Sequence, residues 1–330
     1  MKNLVKQPLF WPCATLLLLI ALNAAMNPAF LAISWRDGHF YGSLIDILNR
    51  AAPLALVAAG MTLVIAARGL DISVGAVVAI AAAVAAVVIG ATSNLAFAIS
   101  AALGVALLCG IWNGVLVVGV GMQPIIATLI LMVAGRGVAQ LITDGQILTI
   151  YYAPYDFLGN GFLLGLPFAA LLAGAVILAL HLLLTLTPLG LFIRAIGINP
   201  VAARIAGVRA KPITLCLYAF AGLMAGMAAL IISSNVKSAD ANNAGQLLEL
   251  DAILAVTLGG TALTGGKFSL AGSVIGALII QTLTSTIYSL GVPPEVNLVF
   301  KAALIFIVML LQSPDFRASL RKLAVRPADT

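Results

Sequence analysis

The chain has 330 residues, 62% of them hydrophobic and 8% charged, against roughly 25% charged residues in an ordinary globular domain. Its mean hydropathy is +1.16, and spans of roughly 20 residues each consume most of its length, so no polar stretch could hold a separate catalytic domain. The formal net charge of +6 sits in loops between apolar runs, which ties it to membrane topology and excludes a nucleic-acid partner as its explanation.

The expectation is an all-α polytopic membrane protein, a single transmembrane domain over residues 1–330 in a lipid bilayer. Lys2 and Lys6 precede an apolar run from Leu9 to Ile33. Small residues at Ala21 to Ala25 imitate a signal-peptidase site, but further spans follow, so the run reads as a retained first helix. The polar stretch Ser34 to Arg50, with Trp35, His39 and Tyr41, reads as an outer loop with interfacial aromatic anchors. Spans two and three, Ala51 to Ala67 and Ile72 to Gly90, are separated only by Arg68 to Asp71. So short a link means a tight hairpin or a helix broken within the membrane.

Span four runs from Leu95 to Val118 and span five from Pro124 to Ile142, with an outer loop over Thr143 to Gly161. Span six, Phe162 to Leu186, returns the chain to a basic cytoplasmic loop, 187–212, and span seven follows over Ile213 to Ser234. Gly222 and Gly226 in span seven have the small-xxx-small spacing that lets helices approach closely. Lys237 to Gln246 is outside, and Leu247 to Leu258 is too short for an ordinary crossing, so it reads as a half-helix. A Gly-rich turn leads to span nine, Leu270 to Leu290, then span ten, Val296 to Gln312, and a basic tail, 313–330.

About ten transmembrane segments, some of them half-helices or re-entrant, put both termini in the cytoplasm. Lys2, Lys6, Arg68, Arg194, Arg204, Arg209, Lys211, Lys267, Arg317, Arg321, Lys322 and Arg326 then lie inside, while Arg36, Arg50 and Lys237 lie outside. That bias obeys the positive-inside rule.

Chemistry is sparse. Cys13, Cys109 and Cys216 fall in apolar runs without metal or disulfide spacing. The turn GGTALTGGKFS fails as a phosphate loop, because Thr261 stands where the first glycine belongs and Phe268 follows Lys267. No catalytic or metal-binding constellation is expected around His39 and His181, and no cofactor; any ATP must be hydrolysed by a partner. Arg136, Glu249, Asp251 and Lys301 are ionisable residues inside spans, where structural pairing is the preferred reading. An ion-driven carrier would need Asp251 or Asp71. A neutral polyhydroxylated substrate calls for amides and hydroxyls along its route, and Asn49, Asn113, Gln123, Thr128, Gln140, Gln281, Thr284 and Asn297 are the candidates. Interhelical hydrogen bonding explains each of them equally well.

The basic loop carries a local signature. Asn199 suits an N-cap, Pro200 the first helical position, Val201 to Ala206 hold no breaker, and Gly207 suits a left-handed end. This short stiff helix is either a connector or a surface that receives a push from a soluble partner.

MTLVIAARGLDISVGA at Met61 to Ala76, AIGINPVAARIAGV at Ala195 to Val208 and LELDAILAVTLGGTALTGGKFSLAGSVIGALII at Leu248 to Ile280 resemble the ribose-type membrane permeases of bacterial ABC sugar importers, in the same order over nearly the whole chain. SLIDILNRAAPLAL at Ser43, QPIIATLILMVAGRGVAQLIT at Gln123 and ADANNAGQLLELDAILAV at Ala239 are most similar to the permeases of galactofuranose importers. The resemblance implies an inner-membrane subunit that takes a monosaccharide from a periplasmic binding protein and pairs with a second copy or a related permease. It implies too a separate cytoplasmic ATPase, seated on the coupling segment Asn199, Pro200, Ala203, Arg204 and Gly207. Ala67-Arg68 stands where a Gly-Gly pair is commoner, and Thr261-Ala262 interrupts a Gly/Ser-rich turn.

Overall fold

A computed structural model describes residues 9–291 and isolated positions between 296 and 310. Lys2, Lys6, Asn297, Lys301, most of span ten and the tail 313–330 lie outside the described residues.

The chain opens with α1 (Phe10–Met26), then a β-hairpin of β1 (Ser34–Arg36) and β2 (His39–Tyr41). Asp37 and Gly38 both take positive φ at its tip, the conformation that Asp-Gly supplies in a two-residue hairpin turn. Helix α2 (Ser43–Ala66) starts at Ser43, so the expected outer loop over Ser34 to Arg50 is half hairpin and half helix. Every residue from Ala51 to Ala66 is buried. A helix apolar on all sides has no solvent face to offer, and α2 accordingly forms the centre of the bundle.

Helix α3 (Val74–Thr92) follows a non-helical crossing, then come α4 (Leu95–Val115), ending in a π-turn over Leu116–Val120, and α5 (Pro124–Ile142). Between α5 and the next long helix lie β3 (Leu148–Thr149), α6 (Ala153–Asn160), β4 (Phe162–Leu163) and β5 (Leu166–Pro167). The sixth apolar helix, α7 (Phe168–Leu186), therefore begins six residues after the expected Phe162; a β4–β5 hairpin takes up the difference. The basic loop 187–212 holds α8 (Leu189–Ile198) and α9 (Pro200–Ile205), and α10 (Ala210–Asn235) already begins inside the loop's expected limits. Then β6 (Ser238–Ala239) pairs with β3, and α11 (Leu248–Leu258) and α12 (Leu270–Ser289) complete the described chain.

Around α2 pack α10, α12, α7 and α11, while α3 and α4 pack against α10 on its other side. The α4–α10 crossing is close because it is built from glycines. A Cβ on Gly222 would strike the Ala106 carbonyl and lie 2.9 Å from the Gly110 Cα, as the small-xxx-small spacing predicted.

Seven of the described helices are long and apolar enough to cross a membrane, so the structure supports a multi-pass helical protein but not the full count of ten. Helix α1 has 17 residues. Helix α11, with 11 residues, is about 16 Å long against a hydrocarbon layer of about 30 Å. It is the half-helix that its length in the sequence implied.

Candidate functional site: the interrupted helices and the cytoplasmic junction

The break between α2 and α3 is organised by its own polar atoms. Helix α2 ends in a Schellman motif: the Gly69 N–H donates to the Val64 carbonyl at 2.8 Å and the Arg68 N–H to that of Ile65 at 2.9 Å. Arg68 occupies the left-handed position of this motif, with φ +65°. Glycine usually sits there, because a Cβ in that conformation costs about 1–2 kcal/mol. Beyond it Asp71 is buried, and its Oδ1 accepts from the Ser73 N–H at 2.9 Å and the Ser73 hydroxyl at 2.6 Å. Asn113 Nδ2 donates to Ser73 Oγ at 2.8 Å, and the Ile72 N–H donates to Thr128 Oγ1 at 3.3 Å. Two residues proposed for the route, Asn113 and Thr128, are thus gathered around this turn and fully buried. Asn113 Oδ1 is buried without a partner.

The second interruption precedes α11. Asp240 makes a local turn: its Oδ1 accepts from the N–H groups of Asn242 and Asn243 at 2.9 and 3.2 Å, and its Oδ2 from Asn243 Nδ2 at 2.7 Å. The Asn243 side-chain bond acts first, partial burial opposes it, and the two backbone donors and the Arg136 charge add to it, holding this carboxyl below its ordinary range. From α5, Arg136 Nη1 donates to the carbonyls of Ala241, Asn242 and Ala244 at 3.2, 3.4 and 2.6 Å. Gln140 Nε2 donates to Asn242 Oδ1 at 2.6 Å. Carbonyls of a non-helical segment have no ladder partner of their own and must be satisfied from elsewhere, and α5 satisfies these. Gly75, in the first turn of α3, leaves no room for a Cβ against the Glu249 carboxylate and the Gly245 carbonyl. Arg136 therefore has the structural partners expected of it, while the half-helix α11 starts beside the amides Gln140, Asn242 and Asn243, all exposed. Discontinuous helices of this kind bound the substrate sites of many transporters.

At the start of the α2–α3 break three chain segments meet. The Gly266 N–H donates to the Ala66 carbonyl at 2.9 Å. Gly197 lies so close that a Cβ would strike the Ala66 carbonyl oxygen and the Gly266 nitrogen. The Arg68 guanidinium donates from Nε to the Gly197 carbonyl at 2.6 Å and from Nη2 to that of Ile198 at 2.6 Å. Those carbonyls end α8, where a helix leaves acceptors unpaired and favours a cation.

Helix α9 follows at once and is built as the sequence predicted. Asn199 Oδ1 accepts from the N–H groups of Val201 and Ala202, both at 3.0 Å, and Gly207 has φ +86°. Ala203 is 4% exposed, whereas Val201 and Ile205 are 66% and 84% exposed. The outward face is therefore Val201, Arg204 and Ile205; Ala203 anchors the helix to its own chain. Helix α8 carries no side-chain cap to mark it in the sequence, although Leu189, Ile193 and Ile196 have helical spacing and face inward.

The remaining route candidates are dispersed. Asn49 donates to the Gly159 carbonyl at 3.2 Å, Gln123 precedes α5 as its exposed N-cap, and Thr284 donates to the Ile280 carbonyl at 2.9 Å. Gln281 lines a cavity of about 340 Å³ with Asp46, Arg50 and Tyr288. Sequence reasoning singled out amides but not the Gln140–Asn242 pair, because hydrogen bonding between positions so far apart leaves no local signal.

Apolar membrane-length helices joined by satisfied non-helical segments, with a capped short helix at one junction, define a multi-pass membrane protein. The chain belongs to the family described as the branched-chain amino acid transport system / permease component, whose model matches residues 43–309. It is 48% identical over 311 residues to the galactofuranose transporter permease protein YtfT of Escherichia coli strain K12, covering 93% of this chain and 91% of that protein. It is similar too to the fructose import permease protein FruF of Bifidobacterium longum, at 40% identity over 95% of this chain and 90% of that one. The ribose import permease protein RbsC of Escherichia coli strain K12 is 36% identical over 90% of this chain and 91% of that one. No solved structure matches. As a permease component the chain is a transport subunit and not an enzyme.

Proposed function

We propose that the chain is the membrane-spanning permease of an ATP-driven (ABC) importer for a monosaccharide in a bacterial inner membrane, with galactofuranose the first sugar to test. The observation that carries this reading is its 48% identity, over 93% of the chain, with a galactofuranose permease. The capped α9, with Val201, Arg204 and Ile205 turned outward, supports docking of a cytoplasmic ATPase there. ATP binding would close the ATPase halves, and α9 would carry that motion into the bundle as a rigid element. A periplasmic binding protein would deliver the sugar, and a second copy or a related permease would complete the route. About ten spans with both termini in the cytoplasm complete the proposal, which the distribution of cations supports.

The ion-driven alternative finds little support in the geometry. Asp71 is occupied by Ser73, and Asp251 has a partner already. The test is uptake into proteoliposomes reconstituted with the cognate ATPase and binding protein. Galactofuranose, ribose, xylose, galactose and fructose are offered, with leucine because of the family's description. Uptake of one sugar that needs ATP and both partners, and survives collapse of ion gradients, is the expected result. Uptake by the chain alone, or only of leucine, overturns the reading.

A further inference from the structure

The departure at Arg68 has a structural role. A lone cation placed there only to mark the cytoplasmic side would extend into water. Instead its side chain folds back, and both bonds to the Gly197 and Ile198 carbonyls are 2.6 Å long. Its backbone holds a left-handed conformation, φ +65°, that an arginine adopts at a cost. Its stem is covered from a third direction, since a Cβ on Gly265 would lie 2.6 Å from Arg68 Cγ. One residue thus closes α2 with its backbone, closes α8 with its guanidinium and seats the α11–α12 turn on its methylenes.

We propose that Arg68 is a positioning residue for transport: it latches the α8–α9 segment to the interrupted α2–α3 turn so that a displacement of α9 reaches the membrane core. This rests on the reading of α9 as the ATPase contact. The physical case lies in the chain of short connections. From α9, Asn199 leads directly into Ile198, whose carbonyl Arg68 holds. From Arg68 only Gly69 and Leu70 separate the latch from Asp71 and the polar turn that starts α3. Without the guanidinium, the junction keeps the Gly266 to Ala66 hydrogen bond and the apolar packing of Ile193 but loses both hydrogen bonds between α8 and the α2–α3 turn. Motion of α9 would then be absorbed by α8.

The test uses the complete transporter in proteoliposomes and reads the ratio of sugar moved to ATP hydrolysed. Arg68→Gly removes the latch and relieves the left-handed strain, so it favours folding of the turn. Arg68→Met keeps the stem and removes the donors. In both, the ATPase should still copurify, and the sugar-to-ATP ratio should fall at least tenfold. Arg68→Lys, which reaches one carbonyl, should restore part of it. A merely structural role would lower uptake and hydrolysis together and leave the ratio unchanged, and an unchanged ratio in Arg68→Gly overturns the proposal. If wild-type uptake needs no ATPase, the coupling reading fails first. An intact ATP requirement with normal ratios in all three variants rejects the latch alone.

Discussion

Gly197 is the residue where the least change should do the most damage. A Cβ there would meet two backbone atoms, the Ala66 oxygen and the Gly266 nitrogen, neither of which can turn aside as a side chain end can. Gly197→Ala is expected to cost at least about 1–3 kcal/mol, the usual penalty of overpacking, read as a lowered melting temperature in detergent. On α6, the Tyr155 hydroxyl is buried 2.6 Å from Ser233 Oγ, and burial pushes it up to about 12. An unfolded tyrosine titrates near 10, so the folded state keeps the proton longer. The stabilisation is complete below about pH 10 and is lost as the pH rises toward 12. Wild-type protein should therefore melt less readily than Tyr155→Phe near pH 8, and the gap should close above about pH 11. A gap that widens with pH would contradict this sign.

Helix α9 has an inner and an outer face, and substitutions should separate them. Ile205→Glu puts a charge on a side chain that is 84% exposed; it should leave insertion and melting unchanged while lowering uptake at least tenfold. Ala203→Glu puts the charge into the chain's own packing, where an unpaired buried charge costs about 3–5 kcal/mol. It should fail at the level of expression and stability. Equal behaviour of the two would show that α9 does not present the face described. For the segment before α11, Gln140→Ala and Asn242→Ala break the same 2.6 Å hydrogen bond. The double variant should melt like the worse single one, with a coupling of about 1 kcal/mol.

For the whole molecule, the two ends of α10 fix the orientation. Cysteines placed at Arg204 and at Lys237, in a background lacking the three native cysteines, should be labelled from opposite sides of the membrane, Arg204 from the cytoplasm. Labelling of Arg204 from outside would reverse the topology and remove α9 from reach of any ATPase. The Lys237 end has its own fastening, an ion pair of 3.0 Å between Lys237 and Asp156, and the β3–β6 pairing beside it. Lys237 therefore reports an ordered part of the surface.

Composition and local pattern decided that this chain lives in a bilayer, where its long helices lie and that α11 is short. These depend on transfer free energies and caps, which act over a few residues. The cap at Asn199 and the left-handed Gly207 were legible for the same reason. Likeness to known permeases extended that reading to a family. Tertiary structure alone decided that Ala203 faces inward, that Asn113 and Thr128 close a turn, and that Gln140 meets Asn242. It alone turned Arg68 from a topology mark into a junction. Each of these depends on atoms brought together from distant parts of the chain, and packing in three dimensions, not spacing along the sequence, sets which of them meet.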